Sequence, residues 1–114
     1  MAEIPNVLSI AGSDPSGGAG VQADLKTFAA LGCYGMAAIT ALTAQNTRGV
    51  SGVHLPDAAF VAQQIDAIFA DIRVNAVKIG MLGSGAIVEA VAGSLARPGV
   101  GHIVLDPVLV ATSG

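Results

Sequence analysis

The sequence predicts an α/β fold, a mostly parallel sheet flanked by helices. Three observations carry that prediction. Apolar runs of strand length alternate with amphipathic runs of helix length along the 114 residues. The run Met36–Leu42 is almost continuously apolar, as strands covered on both faces tend to be. The first strand passes through a glycine-rich turn, Gly12–Gly20, directly into a helix, so that backbone N–H groups and a helix N-terminus face whatever binds there.

The elements follow in order. Val7, Leu8 and Ile10 mark a strand over Asn6–Ala11. A helix is expected over Ala19–Leu31, with Val21, Leu25, Phe28 and Ala29 on its apolar face and Gly32 as its stop. The second strand covers Met36–Leu42. The polar stretch Thr43–Gly49 reads as a loop, and a short strand over Val50–Leu55 follows. A second helix covers Ala58–Asp71, where Val61, Ile65, Ile68 and Ile72 form one stripe and Pro56 and Asp57 suit the start. A strand over Ala76–Ile79 comes next. Ser84 is placed to cap a third helix over Gly85–Ala96, with Ile87, Val88, Val91 and Leu95 inward, before Pro98-Gly99 breaks it. The last strand covers His102–Leu105 and ends at Asp106-Pro107. Right-handed crossovers make such strands parallel, and their carboxyl ends share one edge, where open α/β sheets bind ligands. That edge gathers Gly12, Asp24, Gln45, Met81 and Asp106 toward one crevice.

Composition bounds the function. Hydrophobic residues make up 53% and charged residues 11%, against about 25% charged in a typical domain. Small domains have more surface per volume and should carry more charge. The chain therefore reads like the inside of something larger, an obligate subunit or a piece of a longer polypeptide. Mean hydropathy is +0.69, yet no uncharged apolar run reaches about 18 residues, so no transmembrane helix is expected. Met1–Pro5 has no basic n-region, so no signal peptide is expected. Net charge is −3, and Lys26, Arg48, Arg73, Lys78 and Arg97 are scattered, which excludes a nucleic-acid footprint. The single cysteine, Cys33, excludes an intrachain disulfide and fits a reducing, cytoplasmic compartment.

The glycine pattern is neither of two familiar nucleotide motifs. Gly12-x-x-x-x-Gly17-Gly18 starts like a P-loop, but Gly18 and Ala19 stand where Lys and Ser/Thr are needed. Gly18-x-Gly20-x-x-Ala23 imitates a dinucleotide fingerprint, but no acid closes the second strand. Asp24 is either a first-turn acid complementing the helix dipole or an acceptor for a ligand hydroxyl. Asp14 before Pro15 is a common turn residue, or its carboxylate ties the loop shut. Gln45-Asn46 stabilises a loop or pairs with a heterocycle edge, since an amide offers both an acceptor and donors. Lys78, inside an apolar strand, must reach solvent or pair with an acid. Met81 is a packing residue or an apolar wall beside a ring. Asp106 caps a loop or holds Mg²⁺ through water.

Five segments together resemble the hydroxymethylpyrimidine/phosphomethylpyrimidine kinases of thiamine biosynthesis, which are ribokinase-like. They are Ala11–Gly20, Ala23–Lys26, Thr40–Thr47, Lys78–Met81 and Leu105–Val108. The resemblance runs from about Val7 to Gly114 in order. It implies a ribokinase-like fold and phosphoryl transfer from ATP, with Mg²⁺, to a pyrimidine hydroxymethyl group and then to the monophosphate. By position, Asp24 matches the acid that bonds the hydroxymethyl group, Gln45 the amide that reads the aminopyrimidine, and Gly12 the close backbone approach. Met81 matches the residue beside the ring, and Asp106 the acid near metal and phosphates. The resemblance also implies a homodimer.

Family members are longer, and their Gly-Thr-Gly-Cys segment, activating cysteine and most of the ATP site lie in a second half not represented here. Cys33 is at the wrong place to substitute. The expectation is therefore the N-terminal part of a single kinase domain over residues 1–114, with no catalytic residue of its own. A pyridoxine-type kinase and a non-catalytic binding or interaction module are the alternatives.

Overall fold

The computed structural model describes residues 3–106. Their order is β1 (Asn6–Ser13), α1 (Gly20–Ala30), β2 (Tyr34–Asn46), β3 (Gly49–His54), α2 (Ala58–Phe69), β4 (Ala76–Ile79), α3 (Gly85–Leu95) and β5 (His102–Leu105). The strands form one sheet in the order β3-β2-β1-β4-β5. β1 runs parallel to β2 and β4, and β4 parallel to β5, while β3 returns antiparallel to β2.

Register sorts the side chains between the two faces. Leu8 lies beside Met36 and Val77, and Ile10 beside Ala38 and Ile79. These meet Val61 and Ile65 of α2 and Ile87 and Val91 of α3 in the main core. Each large aliphatic buried there contributes about 1.5–3 kcal/mol. One residue along, Ser9 lies beside Ala37 and Lys78 on the opposite face, under α1. Gly35 lets α1 come close, because a Cβ there would stand 2.9 Å from Leu25 Cδ2 and 3.2 Å from Phe28 Cδ2. The sheet is thus flanked by helices on both faces, as the apolar runs predict.

The helix ends follow the local signals. Gly32, at φ +78°, ends α1. The Cys33 N–H donates to the Phe28 carbonyl at 2.8 Å and the Gly32 N–H to the Ala29 carbonyl at 3.1 Å, a Schellman pattern. Ser84 caps α3, accepting the Ile87 N–H at 3.2 Å. Asp57 occupies the N-cap of α2 without a side-chain bond.

Two of the boundary shifts bear on the site. β1 continues through Gly12 and Ser13. β2 continues through Thr43–Asn46, where the sequence predicts a loop. β3 supplies antiparallel hydrogen-bond partners to that polar stretch, so it remains a strand. The Asn46 side chain accepts the Arg48 N–H at 2.9 Å and closes the hairpin turn. A register shift between Ala44 and Gln45 leaves Ser51 unopposed, a bulge that sets the aim of the neighbouring side chains. Before the hairpin begins, Gln64 of α2 closes the edge of β2. Its Oε1 accepts the Ile39 N–H at 2.9 Å and its Nε2 donates to the Ile39 carbonyl at 3.0 Å. Among the described residues no helix is long and apolar enough to cross a membrane. Pro107, Val108 and Thr112–Gly114, which the sequence reading uses, lie outside the described residues.

Candidate functional site

Two cavities are open at the carboxyl edge of the sheet. The larger, about 630 Å³, lies between α3 and β5 and is walled by Leu82, Val88, Val91, Leu95 and Leu105, with no charged side chain among the described residues. The smaller, about 470 Å³, opens at the ends of β1, β2, β4 and β5, and its lining includes Gln45, Lys78 and Asp106. Both are large enough for a small ligand. The second carries the polar groups that chemistry needs.

Its floor is built by the glycine-rich loop. The Asp14 carboxylate, 3% exposed, fills the loop from inside. Its Oδ1 accepts the Ser16 N–H at 2.9 Å and the Ser16 hydroxyl at 2.7 Å. Its Oδ2 accepts the N–H groups of Gly18 at 3.0 Å and Ala19 at 2.9 Å. The Ser16 hydroxyl bond does most to hold the Asp14 carboxyl below its ordinary value; burial opposes it, and the backbone bonds add to it. Gln22 ties the loop to the helix, accepting the Asp14 N–H at 2.7 Å and donating to Ser13 Oγ at 2.7 Å. This corrects one expectation. The amides of Ser16, Gly18 and Ala19, which the sequence reading offers to a ligand, are taken by the chain's own carboxylate.

Backbone contact sets the shape. Gly20 has φ +60°, and a Cβ there would collide with the Gly12 carbonyl oxygen. A Cβ on Gly12 would stand 3.2 Å from Met81 Cε. Met81 is 45% exposed, and the buried Thr40 fixes its backbone by donating to its carbonyl at 2.7 Å. On the β2 side, the Thr43 hydroxyl lies 2.7 Å from the Ser13 carbonyl and 3.1 Å from Gln45 Oε1. A hydroxyl has one proton to donate, and the shorter bond claims it. The Gln45 amide is therefore lightly held at the cavity wall.

Asp24 sits elsewhere. Counted from Gly20 it lies beyond the first turn of α1, which holds no acid, so the helix-dipole reading falls. Its Oδ2 accepts the hydroxyl of the fully buried Ser9 at 2.7 Å and the Lys78 ammonium at 2.9 Å. Lys78 lines the cavity, and Asp24 does not. Asp106 Oδ2 lies 3.9 Å from the same ammonium on a side chain 73% exposed.

Four of the five expected residues, Gly12, Gln45, Met81 and Asp106, therefore share one cavity. Asp24 is not in the lining and reaches the space only through Lys78, which is. Ser9 and Gln22 carry no sequence signal of their part, whereas Asp14 ties the loop shut and Lys78 pairs with an acid, as their residue types allow. The signal for Lys78 was a lysine inside an apolar strand, whose acid had to come from another element.

Among the described residues no group of three or more His, Cys, Asp or Glu side chains can hold a metal ion. Mg²⁺ keeps several waters and is usually held by one or two carboxylates plus substrate phosphates. A single exposed carboxylate such as Asp106 fits that mode and does not fit an all-protein cage.

The family model for phosphomethylpyrimidine kinase matches residues 14–114. The hydroxymethylpyrimidine/phosphomethylpyrimidine kinase of Escherichia coli is 59% identical over 109 residues, 96% of this chain and 41% of that protein. The thiamine biosynthesis multifunctional protein ThiED of Corynebacterium efficiens is 58% identical over 110 residues, 96% of this chain and 15% of that protein. The chain thus spans about two-fifths of the length of the E. coli relative. The crystal structure of phosphomethylpyrimidine kinase from Clostridium difficile superposes with a TM-score of 0.88 at 48% identity, covering 98% of this chain and 48% of that one. Pyridoxal kinase from Staphylococcus aureus, in complex with AMP-PCP and pyridoxal, superposes with a TM-score of 0.82 at 37% identity, covering 94% of this chain and 40% of that one. The ribokinase-like architecture expected from the sequence is therefore the one observed. Strand order, the strand-end cavity and a family match beginning at the loop's own Asp14 agree: the chain belongs to the phosphomethylpyrimidine kinase family.

Proposed function

We propose that the protein carrying this chain phosphorylates hydroxymethylpyrimidine, and then its monophosphate, for thiamine biosynthesis. In each step the acceptor oxygen bonds to the terminal phosphorus of ATP as the bond to ADP breaks. The observation that carries this reading is the strand-end cavity, which sets the Gln45 amide and the Met81 side chain on its wall in a chain of this family. Kinases of this family imply ATP as donor, and Mg²⁺ would neutralise phosphate charge in transfer.

The roles of the residues follow from their chemistry. Gln45 donates to a ring nitrogen and accepts from the exocyclic amine of an aminopyrimidine. Met81 gives the ring an apolar wall, and Gly12, lacking a side chain, lets it approach β1. Asp24 holds Lys78 in place, and through it bears on the hydroxymethyl group. Asp106 is the carboxylate that would hold Mg²⁺ through its waters. We assign no catalytic residue to this chain and read residues 1–114 as the N-terminal part of one kinase domain. The family resemblance supports a homodimer and a cytoplasmic location.

The test is ATP-dependent phosphorylation by the full protein, with hydroxymethylpyrimidine and pyridoxal in competition. A higher kcat/KM for the pyrimidine is expected. The likeness to a pyridoxal kinase at 37% identity makes pyridoxal the second reading, and a preference for it would establish that reading instead. Transfer to neither would retire the kinase assignment in favour of a binding module.

A further inference from the structure

We propose that Lys78 determines charge specificity: its ammonium binds the phosphate of the monophosphate acceptor and distinguishes it from the free alcohol. The inference rests on the kinase reading above. Lys78 is the one cationic side chain lining the strand-end cavity among the described residues. Lys26 is engaged on the Gly17 carbonyl at 2.9 Å, and Arg97 pairs with Asp66. The usual alternative for a phosphate is a helix N-terminus, but in this loop the Gly18 and Ala19 amides are already bonded to Asp14. Among the described residues, Lys78 is the cation that a dianion entering the cavity would meet.

The ammonium is held ready for that task. Asp24 Oδ2 accepts one of its N–H groups at 2.9 Å. The same oxygen takes the hydroxyl of the fully buried Ser9, so the carboxylate cannot swing away without leaving that hydroxyl unpaired. Asp106, at 3.9 Å, is beyond hydrogen-bond length. An ammonium has three donors, so two remain for a ligand. Gly80 keeps that side open, because a Cβ there would stand 3.1 Å from the Lys78 Nζ. A phosphate would meet those donors with ionised oxygens, so that both sides of the bond are charged, while an alcohol offers the ammonium a neutral acceptor.

The experiment measures dissociation constants for hydroxymethylpyrimidine and its monophosphate by calorimetry on the full protein without ATP. In Lys78→Met both ligands are expected to bind more weakly, the monophosphate losing on the order of ten- to a hundredfold more affinity than the alcohol. Lys78→Arg, which keeps the cation, should retain the preference. If Lys78→Met unfolds because Asp24 is left unpaired, the double variant Lys78→Met/Asp24→Asn removes both charges and should show the same selective loss. Equal weakening of both ligands, as a merely structural lysine would give, overturns the proposal, and so does no change in either. If the wild-type protein binds neither ligand, the kinase reading falls and this one with it.

Discussion

Replacing Gly20 by alanine tests whether the cavity is built on backbone contact. Three glycines separate the physical terms. Gly18 has no positive φ, and a Cβ there would stand 3.8 Å from Asp14 Oδ2, an ordinary contact. Gly32 has φ +78°, and its Cβ would meet nothing within 4 Å. Alanine there pays only the left-handed conformation, roughly 1–2 kcal/mol. Gly20 combines φ +60° with collision against the Gly12 carbonyl, and its Cβ would also stand 3.3 Å from the Asp14 nitrogen. Gly12 belongs to β1, which is held between β2 and β4 and cannot retreat. Overpacking of that kind adds about 1–3 kcal/mol. The expected order is near zero for Gly18→Ala, about 1–2 kcal/mol for Gly32→Ala, and about 2–5 kcal/mol for Gly20→Ala. Urea unfolding followed by circular dichroism measures all three in one protein. Gly12 and Gly20 both line the cavity, so pyrimidine affinity should fall with Gly20→Ala alone. A Gly20→Ala cost no larger than that of Gly32→Ala would refute the contact as the determinant of the site.

Three further outcomes are expected. Gln45→Leu leaves the pairing edge of an aminopyrimidine unmatched and should weaken binding by about 1–3 kcal/mol; an unchanged dissociation constant by calorimetry would remove Gln45 from the site. The fold lowers the Asp14 carboxyl below its ordinary 3.8, so the folded state binds fewer protons than the unfolded one. Its stabilisation is whole above that ordinary value and drains as pH falls through the lowered one. Amide-exchange protection at Gly18 and Ala19 should collapse over that acid range, and at neutral pH in Asp14→Asn; protection that persists in both would contradict the role. Gln64→Leu strips Ile39 of both edge partners and should cost about 1–3 kcal/mol in urea unfolding, and a variant as stable as wild type would show that water serves that edge equally well.

The fold was legible because its evidence is local. The stripe of Val61, Ile65 and Ile68, the stop at Gly32 and the cap at Ser84 each use residues a few positions apart, and the corresponding elements appear with ends shifted by two residues or fewer. The stretch Thr43–Asn46 was misread because its strand state depends on β3, whose pairing no local pattern in that stretch reports. Met81 and Gln45 were placed at the correct edge by topology, since parallel strands end on one side whatever their side chains do.

The chain's linear pattern was enough for the order of strands and helices and for the edge where the polar cavity opens, because the alternation of apolar runs limits how layers can stack. It could not say which acid meets Lys78. That pair joins residues 54 positions apart, and it forms only because β1 and β4 align Ser9 with Lys78 beneath α1. Nor could it show which amides the Asp14 carboxylate takes in tying the loop shut, since that depends on how the chain turns back within hydrogen-bond reach of itself. Periodicity records which face of an element is buried; the partners a polar group finds there are decided by packing between elements.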